Sequence, residues 1–276
     1  MKKLLVIAVV MLCAFSACKK EELPQGSFEA KFSIADERQV TFSKGNLQYN
    51  VTEKYWRFAE HQYDFIGLDN ENIGTSNAEW IDLFGWGTSC YLQGAKCYVP
   101  GDCYKPKYDM GTSNLNYQNG ADWGINRIVN GGDKWDMWHT LNDQEWEYIL
   151  HFRKNADKKC AQATINGVRG LVILPDEWKQ PDGVNFTTEG NGWCKNSYAY
   201  NEWQLMETAG AVFLPAGGFR WGREVLSVED NGRYWTASGY NYDNANAVLF
   251  TANEFGYAEN HAKWLGYSVR LVHYCE

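Results

Sequence analysis

From Arg38 to Phe58 apolar and polar side chains alternate. Alternation puts successive residues on opposite faces of a strand. Val40 and Phe42 therefore share a face, Lys44-Gly45-Asn46 turns the chain into Leu47-Gln48-Tyr49, and Tyr55-Trp56-Arg57-Phe58 reads as a third strand. Two stretches switch to helical spacing. Asn142-Asp143-Gln144-Glu145 has the form of a capping box, with Asn142 as cap and Glu145 reaching back to its amide. Trp146, Ile149, Leu150 and Arg153 follow on one side of that helix. Asn201 to Ala209 repeats the signature, with Gln204 in the reciprocal place, Trp203, Met206 and Ala209 on one face, and Gly210 at the stop. Between the helices, Ala163-Thr164-Ile165 and Val168 to Leu174 flank Asn166-Gly167, a pair suited to a two-residue hairpin because both residues tolerate positive φ. Strand-like runs follow at Ala211 to Leu214, Gly218 to Trp221, Arg233 to Ala237, Ala245 to Thr251 and Gly266 to Tyr274. Residues 60–135 show no period and read as long loops. Strands outnumber helices and do not alternate with them, which predicts an α+β class, mostly antiparallel, with two main helices.

The amino terminus departs from this pattern. Lys2 and Lys3 precede a continuous apolar run of twelve residues, Leu4 to Phe15. That run is shorter than the ~20 residues a spanning helix needs, so it reads as a cleavable secretion signal over 1–17. Ser16 and Ala17 place small residues before Cys18, and the stretch resembles a bacterial lipoprotein signal in which Cys18 is lipidated, with palmitate among its acyl chains. Several chains hold a protein stably where one does not, at ~0.8 kcal/mol per buried methylene. Lys19-Lys20-Glu21-Glu22 looks like the charged tag of Bacteroidetes lipoproteins sent to the cell surface, or else like the start of a solvated linker. Leu23 to Ser27, broken by Pro24 and Gly26, completes a lipidated linker over 18–27 and leaves 28–276 as a single domain. The expected location is the outer membrane, lipid-anchored and facing outward, with the periplasmic face as the alternative.

Removing the 17 signal residues from 276 leaves 259, enough for a sizeable core. Loss of Lys2 and Lys3 takes the net charge from −8 to −10. An acidic chain without a basic cluster argues against nucleic acid, whose phosphates need concentrated Lys and Arg. Aromatic residues make up 16% of the chain, which argues for a folded protein with a ring-built core, a stacking surface, or both. Beyond Cys13 and Cys18, six cysteines remain: Cys90, Cys97, Cys103, Cys160, Cys194 and Cys275. An even number outside the cytoplasm predicts one or two disulfides, with the pairing open and a local bridge within reach of Cys90, Cys97 and Cys103. Zinc is disfavoured, because no C-x-x-C occurs and no histidine lies near those three.

Eight segments taken together carry a resemblance. They are Val40 to Tyr49 (VTFSKGNLQY), Trp56 to Glu60 (WRFAE), Ile81 to Ser89 (IDLFGWGTS), Trp138 to Tyr148 (WHTLNDQEWEY), Leu174 to Trp178 (LPDEW), Ala211 to Arg220 (AVFLPAGGFR), Tyr234 to Ser238 (YWTAS) and Ser268 to Val272 (SVRLV). In this order they resemble the Bacteroidetes and Fibrobacter (Fibrobacter succinogenes) major paralogous domain proteins. The resemblance implies a fold related to the formylglycine-generating enzyme, or sulfatase-modifying factor, itself a variant of the C-type lectin-like fold. It implies that the segment from Thr140 to Tyr148 opens a core helix and that Ser268 to Val272 forms a closing strand. Function does not follow from fold. The oxidase relatives use a late C-x-x-x-x-C pair, and sugar-binding relatives use calcium tripeptides (Glu-Pro-Asn, Gln-Pro-Asp, Trp-Asn-Asp). The cysteine pair does not occur here; of the tripeptides only Gln-Pro-Asp occurs, at Gln180-Pro181-Asp182, with neither Glu-Pro-Asn nor Trp-Asn-Asp beside it.

Candidate chemistry is therefore sparse, and no catalytic set and no metal site is expected. Asp69 to Gly74 begins like a calcium loop, but Ile73 occupies a ligand position and no Glu closes the loop, so no cofactor is expected and calcium there is unsupported. Gly85-Trp86-Gly87 lacks the third glycine of a phosphate cradle. His151 reads as a helix residue and Asp176-Glu177 as a turn after a strand rather than a glycosidase pair. Trp193, Trp221, Tyr240 and Tyr242 lie among Gly and Asn in expected loops, with Arg220 beside Trp221 as a directional donor. These five residues are the expected ligand-binding set, against the alternative that the rings staple loops to the body. The leading expectation is a non-enzymatic module binding a glycan or a surface protein. A structural or adhesive envelope component, or an enzyme on a sulfatase-modifying-factor-like scaffold, are the alternatives.

Overall fold

The structure is a computed structural model that describes residues 23–50, 52–72, 80–87, 121–221 and 224–275. Residues 1–17, expected to be a signal, Cys18, Cys90, Cys97, Cys103 and, of the Asp69–Gly74 fragment, Ile73 and Gly74 lie outside these residues.

In chain order the elements are β1 (Phe32–Ala35), β2 (Arg38–Phe42), β3 (Leu47–Asn50), β4 (Tyr55–Phe58), β5 (Trp80–Ile81), β6 (His139–Thr140), α1 (Asp143–Glu147), β7 (Cys160–Ile165), β8 (Val168–Ile173), β9 (Ser197–Tyr198) and α2 (Tyr200–Thr208). There follow β10 (Val212–Pro215), β11 (Phe219–Trp221), β12 (Glu224–Leu226), β13 (Asn231–Gly239), β14 (Asn244–Thr251), β15 (Phe255–Ala262) and β16 (Leu271–Tyr274). They form sheets in the orders β1-β2-β16-β6, β10-β8-β7-β9, β4-β3-β5, β13-β14-β15 and β11-β12. Every named pairing is antiparallel except β7 with β9. The class is thus α+β, mostly antiparallel, with two short helices.

The local signals fold as their chemistry dictates. Asn142 Oδ1 accepts from the Glu145 amide at 2.8 Å, and Glu145 Oε2 accepts from the Asn142 amide at 3.0 Å, so the capping box is complete. Asn166 (φ 49°) and Gly167 (φ 89°) turn β7 into β8 as a two-residue hairpin. Gly210 (φ 96°) stops α2. Other expectations are corrected. The first helix does not run on to Arg153 as one α-helix: Tyr148–Phe152 is a π turn, with the Arg153 amide donating to the Tyr148 carbonyl at 2.9 Å. The extra residue aims Arg153 inward, where it donates to Ile149 O and meets Asp176 Oδ1 at 3.3 Å. In α2 the residue reaching back is Glu202, whose carboxylate accepts from the Ala199 amide at 2.8 Å, while Gln204 bonds the Tyr200 hydroxyl instead.

Pro24 to Ser27 is not a loose linker. Ser27 bridges to Ser43, the Lys44 amide donates to Gly26 O at 2.8 Å, and the Ser27 and Thr41 hydroxyls lie 2.6 Å apart. Only the last part of the Gly266–Tyr274 run is a strand. Gly266, Tyr267 and Ser268 each bridge a different partner, Arg220, Phe84 and Tyr234, so this buried stretch crosses several elements before β16 pairs with β2 and β6. The core is built largely of rings. Trp86, Trp123, Trp138 and Trp235 gather in one cluster, Trp146 and Phe42 in a second, and Trp203 and Phe213 in a third.

Candidate functional site

The β13–β14 hairpin ends in residues 240–243. Asn241 Oδ1 accepts from the amides of Asp243 (2.9 Å) and Asn244 (2.8 Å), so its own side chain closes the turn. Tyr240 and Tyr242 project from this tip at 57% and 72% exposure. A buried ammonium fastens the tip from below. Lys263 Nζ donates to Asn241 O at 2.8 Å and to Tyr242 O at 3.2 Å, and it lies 4.5 Å from the ring centre of buried Trp86. The next residue, Trp264, meets Trp221 edge to face at 5.4 Å. Trp221 ends β11 and is 42% exposed. The hairpin tip and the end of β11 thus meet through the Lys263–Trp264 turn, and the exposed rings stand on backbone that is hydrogen-bonded on several sides.

Three of the five residues expected to bind ligand are at this surface: Trp221, Tyr240 and Tyr242. Two are not, and these expectations are corrected. Trp193 is buried, packed edge to face on Phe250 at 6.5 Å, with its carbonyl accepting from Thr164 Oγ1 at 3.0 Å. Its loop folds inward because Asn196 bonds both Gln162 O and Thr187 O. Arg220 is 2% exposed, and its backbone pairs with Gly266, against whose Cα its own Cβ and Nε lie closely packed. It is a core-facing arginine and not a surface donor. Lys263 and Trp264 are the members that loop composition did not single out. An isolated Lys-Trp step gives no signal until β15 folds back onto the tip.

No disulfide joins any two of Cys160, Cys194 and Cys275, and the three other candidate cysteines, Cys90, Cys97 and Cys103, lie outside the described residues. Cys160 lies in β7 inside the core, where burial pushes its thiol up and Arg153 only partly offsets this. Cys194 is exposed.

The titratable groups elsewhere serve the fold. Asp176 accepts from Ser33 N (2.7 Å), Ser33 Oγ (2.7 Å) and Gln39 Nε2 (2.9 Å). Burial pushes its carboxyl up, but these bonds and Arg153 outweigh it and hold the group below its usual range. His261 is driven down to about 4 by burial and by neighbouring Arg233, so its imidazole is neutral at pH 7. His151 is an exposed residue of the π turn, stacked on Phe255 at 5.9 Å. Among the described residues no group of three or more His, Cys, Asp or Glu side chains is arranged to hold a metal ion, and no helix is long and apolar enough to cross a membrane.

Two clefts, of about 830 and 850 Å³, share Lys44 and Glu60, and Trp221, Tyr240 and Tyr242 line neither of them. The first is lined by residues of β3, β4 and the segment that follows β4. The second runs along Phe28 to Lys31, Asp176 and the end of α2. No protein-family model, no curated protein and no solved structure matches this chain.

Proposed function

We propose that this chain is an outer-membrane lipoprotein, anchored through Cys18 and facing outward, whose single domain binds a glycan or a surface protein without catalysing a reaction. The observation that carries the reading is the set of exposed rings, Trp221, Tyr240 and Tyr242, on a tip that Lys263 fastens. Exposed aromatic side chains are costly to leave in water and are strong anchors once covered. Held on fixed backbone, they lose little freedom on binding. The fold we assign is C-type lectin-like, of the major paralogous domain kind. Its support is that α1 opens at Asp143, within the Thr140–Tyr148 segment, and that Leu271 and Val272 lie in β16, which pairs with β2 and β6.

The test uses the mature chain on glycan arrays and in pull-downs from envelope proteins. Trp221→Ala is expected to weaken the captured interaction at least ~10-fold, equivalent to about 1.4 kcal/mol. No uncharged glycan and no protein captured in either assay, or capture of these indifferent to Trp221 and Tyr242 substitutions, refutes the reading. The anchor is tested separately. Cys18→Ser is expected to move the protein out of the detergent phase, and unchanged partitioning refutes lipidation.

A further inference from the structure

The cleft of about 830 Å³ beside β3 and β4 has a chemistry of its own. Its volume is in the range that holds a small ligand. Gln48 and Arg57 are directly paired across these strands, on the face opposite buried Trp56 and Phe58. Gln48 Oε1 accepts from Arg57 Nε at 2.9 Å, and the guanidinium carbon lies 3.5 Å from the ring centre of Trp80. Tyr55 in turn holds that indole edge to face at 5.1 Å. The guanidinium is therefore fixed in position through Nε and one face. Among the described residues its two Nη atoms carry no ion pair with a carboxylate. Exposed Lys44, on the rim, has none among the described residues either. Tyr63 and Phe65 add half-buried rings to the same wall, Tyr63 with one side stacked on His61 at 5.1 Å. Glu60 and Asp64 complete the charges, Asp64 accepting from the His61 amide at 2.9 Å.

Two cations against two carboxylates do not suit a polyphosphate or a polyamine. They suit a ligand with one anionic group and many hydroxyls. A pre-oriented guanidinium fork donates two parallel hydrogen bonds to a planar carboxylate. Ring walls beside it match the apolar face of a pyranose.

We propose that this cleft binds an acidic saccharide, a pyranose bearing a carboxylate. The carboxylate lies on Arg57 and Lys44, the sugar ring lies against Tyr63 or Phe65, and hydroxyls donate to Glu60 and Asp64. The site is separate from the ring-bearing tip and stands whether or not that tip binds anything.

The experiment is calorimetric titration of the mature chain carrying Cys18→Ser, with trigalacturonate and with a glucuronate-bearing oligosaccharide as acidic probes. The methyl ester of trigalacturonate and an acetylated tripeptide with a free carboxylate are the controls. At least one acidic probe is expected to bind at least tenfold tighter than both controls. Arg57→Gln and Arg57→Lys are each expected to weaken it at least tenfold, the second because charge without the fork and the indole contact is insufficient. Phe152→Ser, at an exposed position that lines neither cleft, is expected to leave that affinity unchanged. Circular dichroism and an unaltered melting temperature for Arg57→Lys guard against misfolding. No binding of either acidic probe, equal binding of the ester or the peptide, or indifference to both Arg57 substitutions overturns the assignment.

Discussion

Asp82 is a carboxyl held almost wholly out of water, at 1% exposure. One oxygen accepts from the Ile66 amide at 2.8 Å and the other from Asn70 Nδ2 at 2.8 Å. Burial raises its pKa from 3.8 to about 6, and these hydrogen bonds only partly counter the rise. Between those two values the folded chain binds more protons than the unfolded one, so stability falls as pH rises through that window. Asp82 therefore supports the fold fully below pH ~4 and has lost that support above pH ~7, a change of about 3 kcal/mol. Other carboxylates oppose it, Asp176 above all, so the wild-type curve alone is not diagnostic. The informative quantity is the difference between Asp82→Asn and wild type, measured by urea denaturation from pH 4.5 to 8. The amide loses one acceptor, a cost that does not vary with pH. The substitution is thus expected to gain on wild type by about 2–3 kcal/mol across the range, most of it between pH 5 and 7. A difference that stays flat across this range, or that grows more unfavourable with rising pH, would refute the reasoning. It would show that the carboxylate is well solvated or matched by a cation.

Two further expectations test the site and the core. Lys263→Met removes two charge-assisted hydrogen bonds and the contact with Trp86 but relieves the burial of an ammonium, so a net loss of about 2 kcal/mol is expected in thermal or urea unfolding, with faster amide exchange at 240–243; unchanged exchange there would show that the Asn241 turn holds the tip unaided. In the native protein, iodoacetamide followed by mass spectrometry is expected to label Cys194 and spare Cys160, and the order should disappear in urea; equal native labelling would place Cys160 at the surface.

The sequence made visible whatever is decided within a few residues. A capping box needs only Asn142 and Glu145, and a tight hairpin needs only Asn166 and Gly167, so both are legible. Tyr240 and Tyr242 were readable for a similar reason: the tip of a hairpin has nowhere to bury a ring. Trp193 and Arg220 show where that logic stops. Gly and Asn announce that the chain turns, but the side on which a ring lands depends on distant partners, here Phe250 for Trp193 and Gly266 for Arg220. β15 was missed because its polar, glycine-containing sequence pairs as an edge strand along β14, which supplies the apolar face. The Arg57 cleft depends on register. Only the pairing of β3 with β4 and of β3 with β5 sets Gln48, Arg57 and Trp80 against one another.

Register also decides which charges remain available to a ligand. Arg270 is buried, with Gln62 Oε1 at 2.8 Å and longer contacts to Asn46 Oδ1 and Phe213 O. Burial brings its pKa down to about 10, so it stays protonated at pH 7. Gln62 passes the charge on to Glu207 at 2.9 Å, and Asn46 donates to Tyr234. Such a network is costly to break because each member would leave a buried partner unmatched. Arg153 with Asp176 and Lys263 with its two carbonyls are engaged in the same way. These groups are fixed by the fold, and a ligand that recruited any of them would have to unmake part of the core. Arg57 differs in kind: the fold holds its Nε and one face, and among the described residues no carboxylate pairs with its two terminal nitrogens at the cleft wall. An arginine positioned at that cost without a carboxylate of its own is the strongest reason in this structure to look for a carboxylate from outside.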